Sequence, residues 1–219
     1  MDLQQIQTYL DSANPQERMK GIVELRNHQP MVVVPLLKQR MHDQEFMVRS
    51  FVAMGLGHKR TDEGFSALLD FLEYETDPNV IAEAANSLSK FGDVALPHLR
   101  RIFMEQPHWL VRQSILAVFE DLYAPELLLD CCRMGLMDSE LMVQLMAVIS
   151  LARLANTPQE AEAMVCLQQV AQSANPELRA KVALVLPQFK RVEARQLLRE
   201  LRQDSDYRVV GAAMESLLQ

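Results

Sequence analysis

Seven segments of this 219-residue chain share one pattern, in which an anchor residue is followed eight positions later by Leu or Phe, with small or apolar residues between. The anchor is apolar in six of the segments and is Glu17 in the first. The segments are 17–25, 48–56, 80–88, 111–119, 143–151, 178–186 and 209–217. Their starts are separated by 31, 32, 31, 32, 35 and 31 residues. Such a regular period is typical of proteins that stack one supersecondary unit many times.

Helix-start signals precede these segments. An Asx residue followed by Pro occurs at 14–15, 77–78 and 175–176, which predicts an N-cap followed by the first helical position. A second stretch with helical periodicity lies upstream of six segments, at 33–41, 65–74, 94–104, 126–136, 160–171 and 192–202. Each unit is therefore predicted to be a helical hairpin that buries its apolar face only against neighbouring hairpins. We predict an all-α protein, a right-handed α-solenoid of about seven hairpins in a single domain, 1–219.

Composition and charge exclude several classes of protein. The net charge of −7 and the pI near 5.3 argue against a surface built to neutralise nucleic acid phosphates. No run approaches the roughly 18 apolar residues of a membrane span, and three cysteines give neither a disulfide framework nor a zinc quartet. The five His lack the i, i+4 spacing of paired metal ligands. We expect a cytoplasmic protein without a resident metal, and a binding protein rather than an enzyme.

The strings that carry the repeat resemble a known family. Asp43 with Val48-Arg49 and Leu56, the string at 12–19, and Trp109-Leu110-Val111 are similar to the short HEAT-like repeats of the phycobilin lyase family. The resemblance covers essentially the whole chain. It implies a non-enzymatic binding protein that recognises phycobiliproteins or their bilins and assists phycobilisome disassembly in cyanobacteria, with at most transient binding of phycocyanobilin.

Two other functions stay open on the same resemblance. One is a bilin lyase-type enzyme that attaches or detaches phycocyanobilin, assisted by a thiol or acid such as Cys132 or Glu120. The other is a general HEAT-repeat assembly adaptor, for example for a metallocluster carrier.

The second helix of each hairpin is expected to present its second, third and seventh positions on a binding surface. Apolar side chains at such positions, notably Met54, Leu145 and Ile149, mark a partner or ligand surface unless the superhelix buries them. The aromatic pair His108 and Trp109 lies just before the fourth segment. Such a pair suits either stacking on a flat ligand or packing between hairpins. The predicted binding residues are Arg49, Met54, His108, Trp109, Arg112, Gln113, Leu145 and Ile149.

An Arg follows the anchor in four segments, at positions 18, 49, 112 and 179. One interpretation is a row that binds carboxylates, either bilin propionates or an acidic partner, because the guanidinium fork matches a carboxylate. The other is structural, with each Arg paired to an acid of the neighbouring hairpin such as Asp43 or Asp138.

Cysteines and a basic segment complete the candidates. Cys131 and Cys166 each lie twelve residues before their own anchors, which predicts matching burial, whereas Cys132 is one step around the helix and is a candidate accessible thiol. The segment 179–202 carries seven basic and two acidic residues. It is either a solvated capping face or a surface that orients a charged partner, with DNA as a third alternative.

Overall fold

The computed structural model describes residues 1–218, and within them it contains helices, turns and loops but no strand. Fourteen α-helices are present among these residues. They are α1 (Leu3–Leu10), α2 (Pro15–Glu24), α3 (Pro30–Lys38), α4 (Phe46–Lys59), α5 (Asp62–Tyr74), α6 (Pro78–Ser89), α7 (Leu96–Glu105), α8 (Trp109–Val118), α9 (Pro125–Leu136), α10 (Leu141–Leu151), α11 (Glu160–Val170), α12 (Pro176–Val185), α13 (Val192–Leu201) and α14 (Tyr207–Leu217). Consecutive pairs form seven hairpins, so the predicted all-α solenoid class is confirmed.

Local chemistry explains where the second helices begin. The side chains of Asn14, Asp77 and Asn175 accept hydrogen bonds from the backbone N–H groups two residues ahead, at 2.9–3.0 Å. A Pro occupies the first position of each of these helices, where the missing N–H costs nothing and φ is already helical. The predicted helix starts are therefore confirmed at these three positions.

The contacts divide the chain into two compact units, Met1–Ile115 and Leu116–Gln219. In the first, which we call unit 1, α4 packs between α2 and α6, with α3 and α5 against it. In the second, unit 2, α12 packs between α10 and α14, while α11 contacts both α9 and α13. The single domain 1–219 stays a prediction.

The core of each unit consists of the repeated apolar positions. The six apolar anchors are buried, as are the residues that follow them by five and eight positions in every hairpin except the one that contains α14. One hairpin cannot bury these side chains by itself, so the hairpins are stable only when stacked.

Candidate functional site

An apolar groove of about 210 Å³ lies between α2, α3 and α4 of unit 1. Its lining is mostly apolar and also includes the basic residues Arg26, His58 and Lys59. The lining residues are Ile22, Val23, Leu25, Arg26, Val33, Leu37, Phe51, Met54, Gly55, His58 and Lys59. We call this feature the α2–α4 groove.

Close packing of α3 against α4 builds the floor of the α2–α4 groove. Leu37 is fully buried, and a Cβ at Gly55 would lie only 2.8 Å from its Cδ1 atom. The walls are open, because Val23 is 45% exposed and Met54 is 42% exposed. Exposed apolar side chains above an apolar floor form the kind of surface that partners cover.

Three basic side chains belong to the lining of the groove. Lys59 donates from Nζ to the carbonyl oxygens of Arg26, at 2.8 Å, and His28, at 2.6 Å, and so caps the turn that ends the first hairpin. Arg26 and His58 are exposed beside it. This cluster favours a partner that combines an apolar contact with negative charge.

Arg49 is not open to a ligand carboxylate, which corrects its predicted place in the binding row. Its Nε and Nη2 atoms donate to the two carboxylate oxygens of Glu75 at 2.6 and 3.0 Å. Its Nη1 atom donates to the carbonyl oxygens of Asp43 and Gln44, at 2.8 and 3.2 Å. The guanidinium therefore joins the loop of its own hairpin to the loop of the next.

The same Arg–carboxylate clamp occurs at two more junctions. Arg18 forms two 2.7 Å bonds to Asp43, and Arg179 bonds Asp204 at 2.7 and 2.8 Å. Burial alone raises the pKa of the Asp43 carboxyl, but the hydrogen bonds from Arg18 and from a backbone amide hold that pKa below its usual value. The pKa of Asp204 is lowered chiefly by Arg179. The structural interpretation of the Arg row is confirmed at Arg18, Arg49 and Arg179.

The sequence carries a signal for these clamps that the repeat pattern alone did not reveal. The carboxylate acceptors Asp43, Glu75 and Asp204 each lie five residues before an anchor. Where the position after the anchor is Ile81 or Gln144, the corresponding residue of the next hairpin is Gln106 or Ser173, which carries no charge. The cation and its acceptor are absent together at these two junctions.

Arg112 and Gln113 are half-buried on α8. Arg112 donates from Nε to the carbonyl oxygen of Gln106 at 3.0 Å, and its guanidinium carbon lies 5.8 Å from the centre of the Phe103 ring. Both of these contacts are made within the hairpin of α7 and α8.

The predicted aromatic pair is exposed at the start of α8. The His108 and Trp109 rings stack with centroids 5.8 Å apart, and Trp109 is 38% exposed. The Leu110 N–H donates to His108 Nδ1 at 3.3 Å, so the imidazole also caps the helix. Phe46 and Tyr207 occupy the same position, two residues before the anchor, and both are exposed. Sequence reasoning missed these two, although their spacing from the anchors is identical.

Leu145 and Ile149 are half-buried on α10 of unit 2. On the next second helix, Leu184 is 41% exposed at the position equivalent to Ile149. Of the predicted residues, only Met54 lines the α2–α4 groove. The others lie elsewhere in unit 1 or in unit 2.

The three cysteines are buried, and none of them forms a disulfide in the described part of the chain. Burial was predicted for Cys131 and Cys166 and is confirmed, whereas the accessible thiol proposed for Cys132 is wrong, because that residue is 0% exposed. Burial, followed by the neighbouring Cys131 and Cys166, raises the pKa of the Cys132 thiol well above its usual value. A thiol that stays protonated and out of reach is a poor nucleophile.

We expect the native protein to resist thiol labelling at neutral pH. With Ellman's reagent, all three cysteines should react in denaturant and none within minutes in the folded protein, because the reagent cannot reach the buried sulfur atoms. Rapid native labelling, located at Cys132 by mass spectrometry, would contradict the burial of this residue.

Within residues 1–218, no group of three or more His, Cys, Asp or Glu side chains is arranged to hold a metal ion. None of the helices in this range combines the length and the hydropathy needed to cross a membrane.

Comparisons with known proteins match this architecture. A family model for HEAT repeats matches residues 6–120 and 128–218. The complex of CpcE and CpcF, of the phycocyanin lyase from a Nostoc species, is similar with 18% identity and a TM-score of 0.54 over 100% of this chain and 87% of that chain. The Escherichia coli protein YibA is similar with 15% identity and a TM-score of 0.65 over 99% and 81%. No curated protein matches the sequence. Because the family model accounts for most of the residues in both units, the chain belongs to the HEAT repeat family.

Proposed function

We propose that this protein is a non-enzymatic binding protein that recognises phycobiliproteins and assists phycobilisome disassembly, in the cytoplasm of a cyanobacterium. The observation that carries the proposal is the α2–α4 groove, an apolar surface on a scaffold whose class works by binding other proteins. The partner assignment rests on resemblance. The strings at 12–19 and 109–111 resemble the phycobilisome degradation protein NblB, and the fold is similar to that of the phycocyanin lyase complex.

The size of the groove favours a protein segment over an enclosed bilin. Sites that enclose a small molecule typically have volumes of ~300–1,000 Å³. At about 210 Å³, the groove holds one or two protein side chains. Met54 in its wall is unbranched and polarisable, which suits a surface that adapts to the side chains it binds.

The test is a matched pair of methionine variants. Met54→Glu places a charge in the wall of the groove, whereas Met31→Glu places the same charge on α3 at a side chain that is 82% exposed and outside the lining. We expect Met54→Glu to weaken binding to immobilised phycocyanin by about tenfold or more, as for a residue central to an interface, and Met31→Glu to leave it unchanged. Biolayer interferometry measures both.

Equal binding by both variants would reject the groove as the phycocyanin site. Absence of wild-type binding to phycocyanin, with binding to unrelated assembly proteins, would favour the general adaptor.

Of the two residues named for the enzyme alternative, Cys132 is not accessible as a nucleophile. Cys132 is buried, and Glu120 forms an ion pair with Arg153 at 3.0 Å. The enzyme alternative is tested by mixing phycocyanobilin with the protein and apo-phycocyanin and measuring the visible absorbance of the bilin. Catalytic attachment or release of the chromophore, lost in Cys132→Ser, would overturn the non-enzymatic proposal. A spectral shift without transfer, sensitive to Trp109→Ala or Leu145→Glu, would identify bilin binding on the second helices.

A further inference from the structure

The outer face of α14 in unit 2 departs from the burial pattern of the other second helices. Positions five and eight residues after the anchor are buried in the six preceding hairpins, where they are Ile22, Leu25, Ala53, Leu56, Ala85, Leu88, Leu116, Phe119, Val148, Leu151, Ala183 and Leu186. In α14 they are Met214 and Leu217, which are 54% and 41% exposed. The side chains are of the type that the pattern buries, but the described residues leave about half of each one exposed.

Gly211 lies on the same face, three residues before Met214 and four after the exposed Tyr207. The other glycines in α-helices of the described chain sit against neighbouring groups, since a Cβ there would come within 3.1 Å of another atom. At Gly211, nothing lies within 4 Å of that position. A glycine destabilises a helix relative to Ala, and nothing in residues 1–218 packs against this position to offset that loss. Gly211 therefore suits a close approach by a group from outside these residues.

A row of arginines lies beside this face. Arg195 and Arg199 of α13, and Arg202 at its C-cap, follow the i, i+4, i+7 spacing, which places them on one flank, and all three are exposed. The opposite flank carries Glu193 and Glu200, which line a surface cavity with Gln168 and Gln172 of the α11 segment. The arginine flank therefore faces away from α11.

These two features share one side of the last hairpin. The exposed face of α14 points away from α12, and the arginine flank of α13 points away from α11. Because α12 and α11 form the preceding hairpin of unit 2, both surfaces face the direction in which a further helical layer would stack. Together they form an apolar stripe bordered by positive charge.

We propose that this hairpin, α13 with α14, binds one helix of an acidic partner protein. The apolar stripe of that helix packs over Gly211, Met214 and Leu217, and its flanking carboxylates pair with Arg195, Arg199 and Arg202. This surface is in unit 2 and is separate from the α2–α4 groove of the proposed function. Many proteins bind an amphipathic helix in this way, by contacting regularly spaced apolar side chains along one face of the helix.

Charge distinguishes this occupant from two others. A second copy related by a two-fold axis perpendicular to α14 would bring the two arginine flanks to the same side of the interface, where they repel. Nucleic acid offers phosphates to the arginines but leaves the apolar stripe uncovered, and the chain as a whole carries a charge of −7.

The probe is a fluorescein-labelled synthetic helical peptide with Leu and Ala along one stripe and Glu on both flanks. Its control is the same peptide with Lys in place of Glu. By fluorescence anisotropy at physiological salt, we expect the Glu peptide to bind the full chain at least about tenfold more tightly than the Lys peptide. Failure of the Glu peptide to bind, or equal affinity of the two peptides, would overturn the proposal.

Variants then locate the binding surface. Gly211→Leu fills the open space beside Gly211 into which the partner helix would pack, and Arg199→Glu reverses one charge. Each substitution should weaken binding of the Glu peptide at least about tenfold. Arg100→Glu, at an exposed arginine of α7 in unit 1, is the matched charge control and should have no effect. Circular dichroism melting checks that Gly211→Leu is folded, which its open surroundings favour. The proposal would be overturned if both variants bound the peptide with unchanged affinity, or if duplex DNA displaced the peptide. It would also be overturned if sedimentation showed a dimer that both variants abolish.

Discussion

Replacing Gly57 with Ala should lower the melting temperature of this protein by about 2–12 °C, although Ala is the better helix former. A Cβ at this position would lie 2.5 Å from the Cβ of Ser87 and 2.8 Å from its Cα, so α4 and α6 would have to separate. The backbone of α6 at Ser87 cannot rotate away from the added methyl group as the end of a flexible side chain could. Overpacking of this kind typically costs ~1–3 kcal/mol, and a change of 1 kcal/mol shifts the melting temperature of a chain this long by about 2–4 °C.

The same substitution at Gly211 is the matched control, because nothing lies within 4 Å of the new methyl group. There, Gly→Ala should raise stability by about 0.5–1 kcal/mol through helix propensity alone. Thermal melts followed by circular dichroism at 222 nm compare the two variants. A Gly57→Ala protein as stable as the wild type would show that the close approach of α4 and α6 is wrong.

Arg49→Met should destabilise the protein by about 3 kcal/mol at pH 7. The Glu75 side chain is only 4% exposed, so removing its cation leaves a carboxylate largely out of water. The carbonyl oxygens of Asp43 and Gln44 also lose their donors. Arg49→Met should lower the free energy of unfolding by more than Lys38→Met does. Lys38→Met is a control that breaks an exposed ion pair with Glu63 at 3.4 Å. Urea unfolding measures both.

The cost of Arg49→Met should shrink in acid. Burial raises the pKa of Glu75, but the hydrogen bonds from Arg49 and from two backbone amides outweigh it and leave that pKa below its usual value. A carboxyl whose pKa is lowered in the folded state adds stability above its unfolded pKa of about 4.3, and this stability is lost as the pH falls through the folded value. The free energies of unfolding of Arg49→Met and wild type should therefore converge below pH 4. A constant difference between pH 7 and pH 3 would contradict a charged Arg49–Glu75 clamp.

Much of the fold was readable from local chemistry. The anchors, the eight-residue spacing and the Asx-Pro starts predicted the second helices, because burial of one helix face and capping of one helix end depend on residues close together in the chain. The burial of Cys131 and Cys166 was predicted in the same way, from matching offsets to the anchors. Cys132 was misjudged, since its position around the helix suggested exposure while residues distant in sequence bury it.

The candidate sites depended on contacts between hairpins. Arg49 was among the predicted binding residues, and the sequence left both a ligand-binding and a structural interpretation of the Arg row open; Glu75, 26 residues further along the chain, occupies its guanidinium. The α2–α4 groove and the open surface of the α13–α14 hairpin were not identified in the sequence, because each depends on how closely neighbouring helices approach.

The sequence by itself determined that the chain is all-α and that helical hairpins repeat along it, because periodic burial and capping are encoded within each unit of about 32 residues. The tertiary structure alone decided which apolar and charged side chains stay available to a partner. Met54 and Met214 are exposed while Cys132 is not, because the exposure of a side chain depends on which residues of other hairpins cover it.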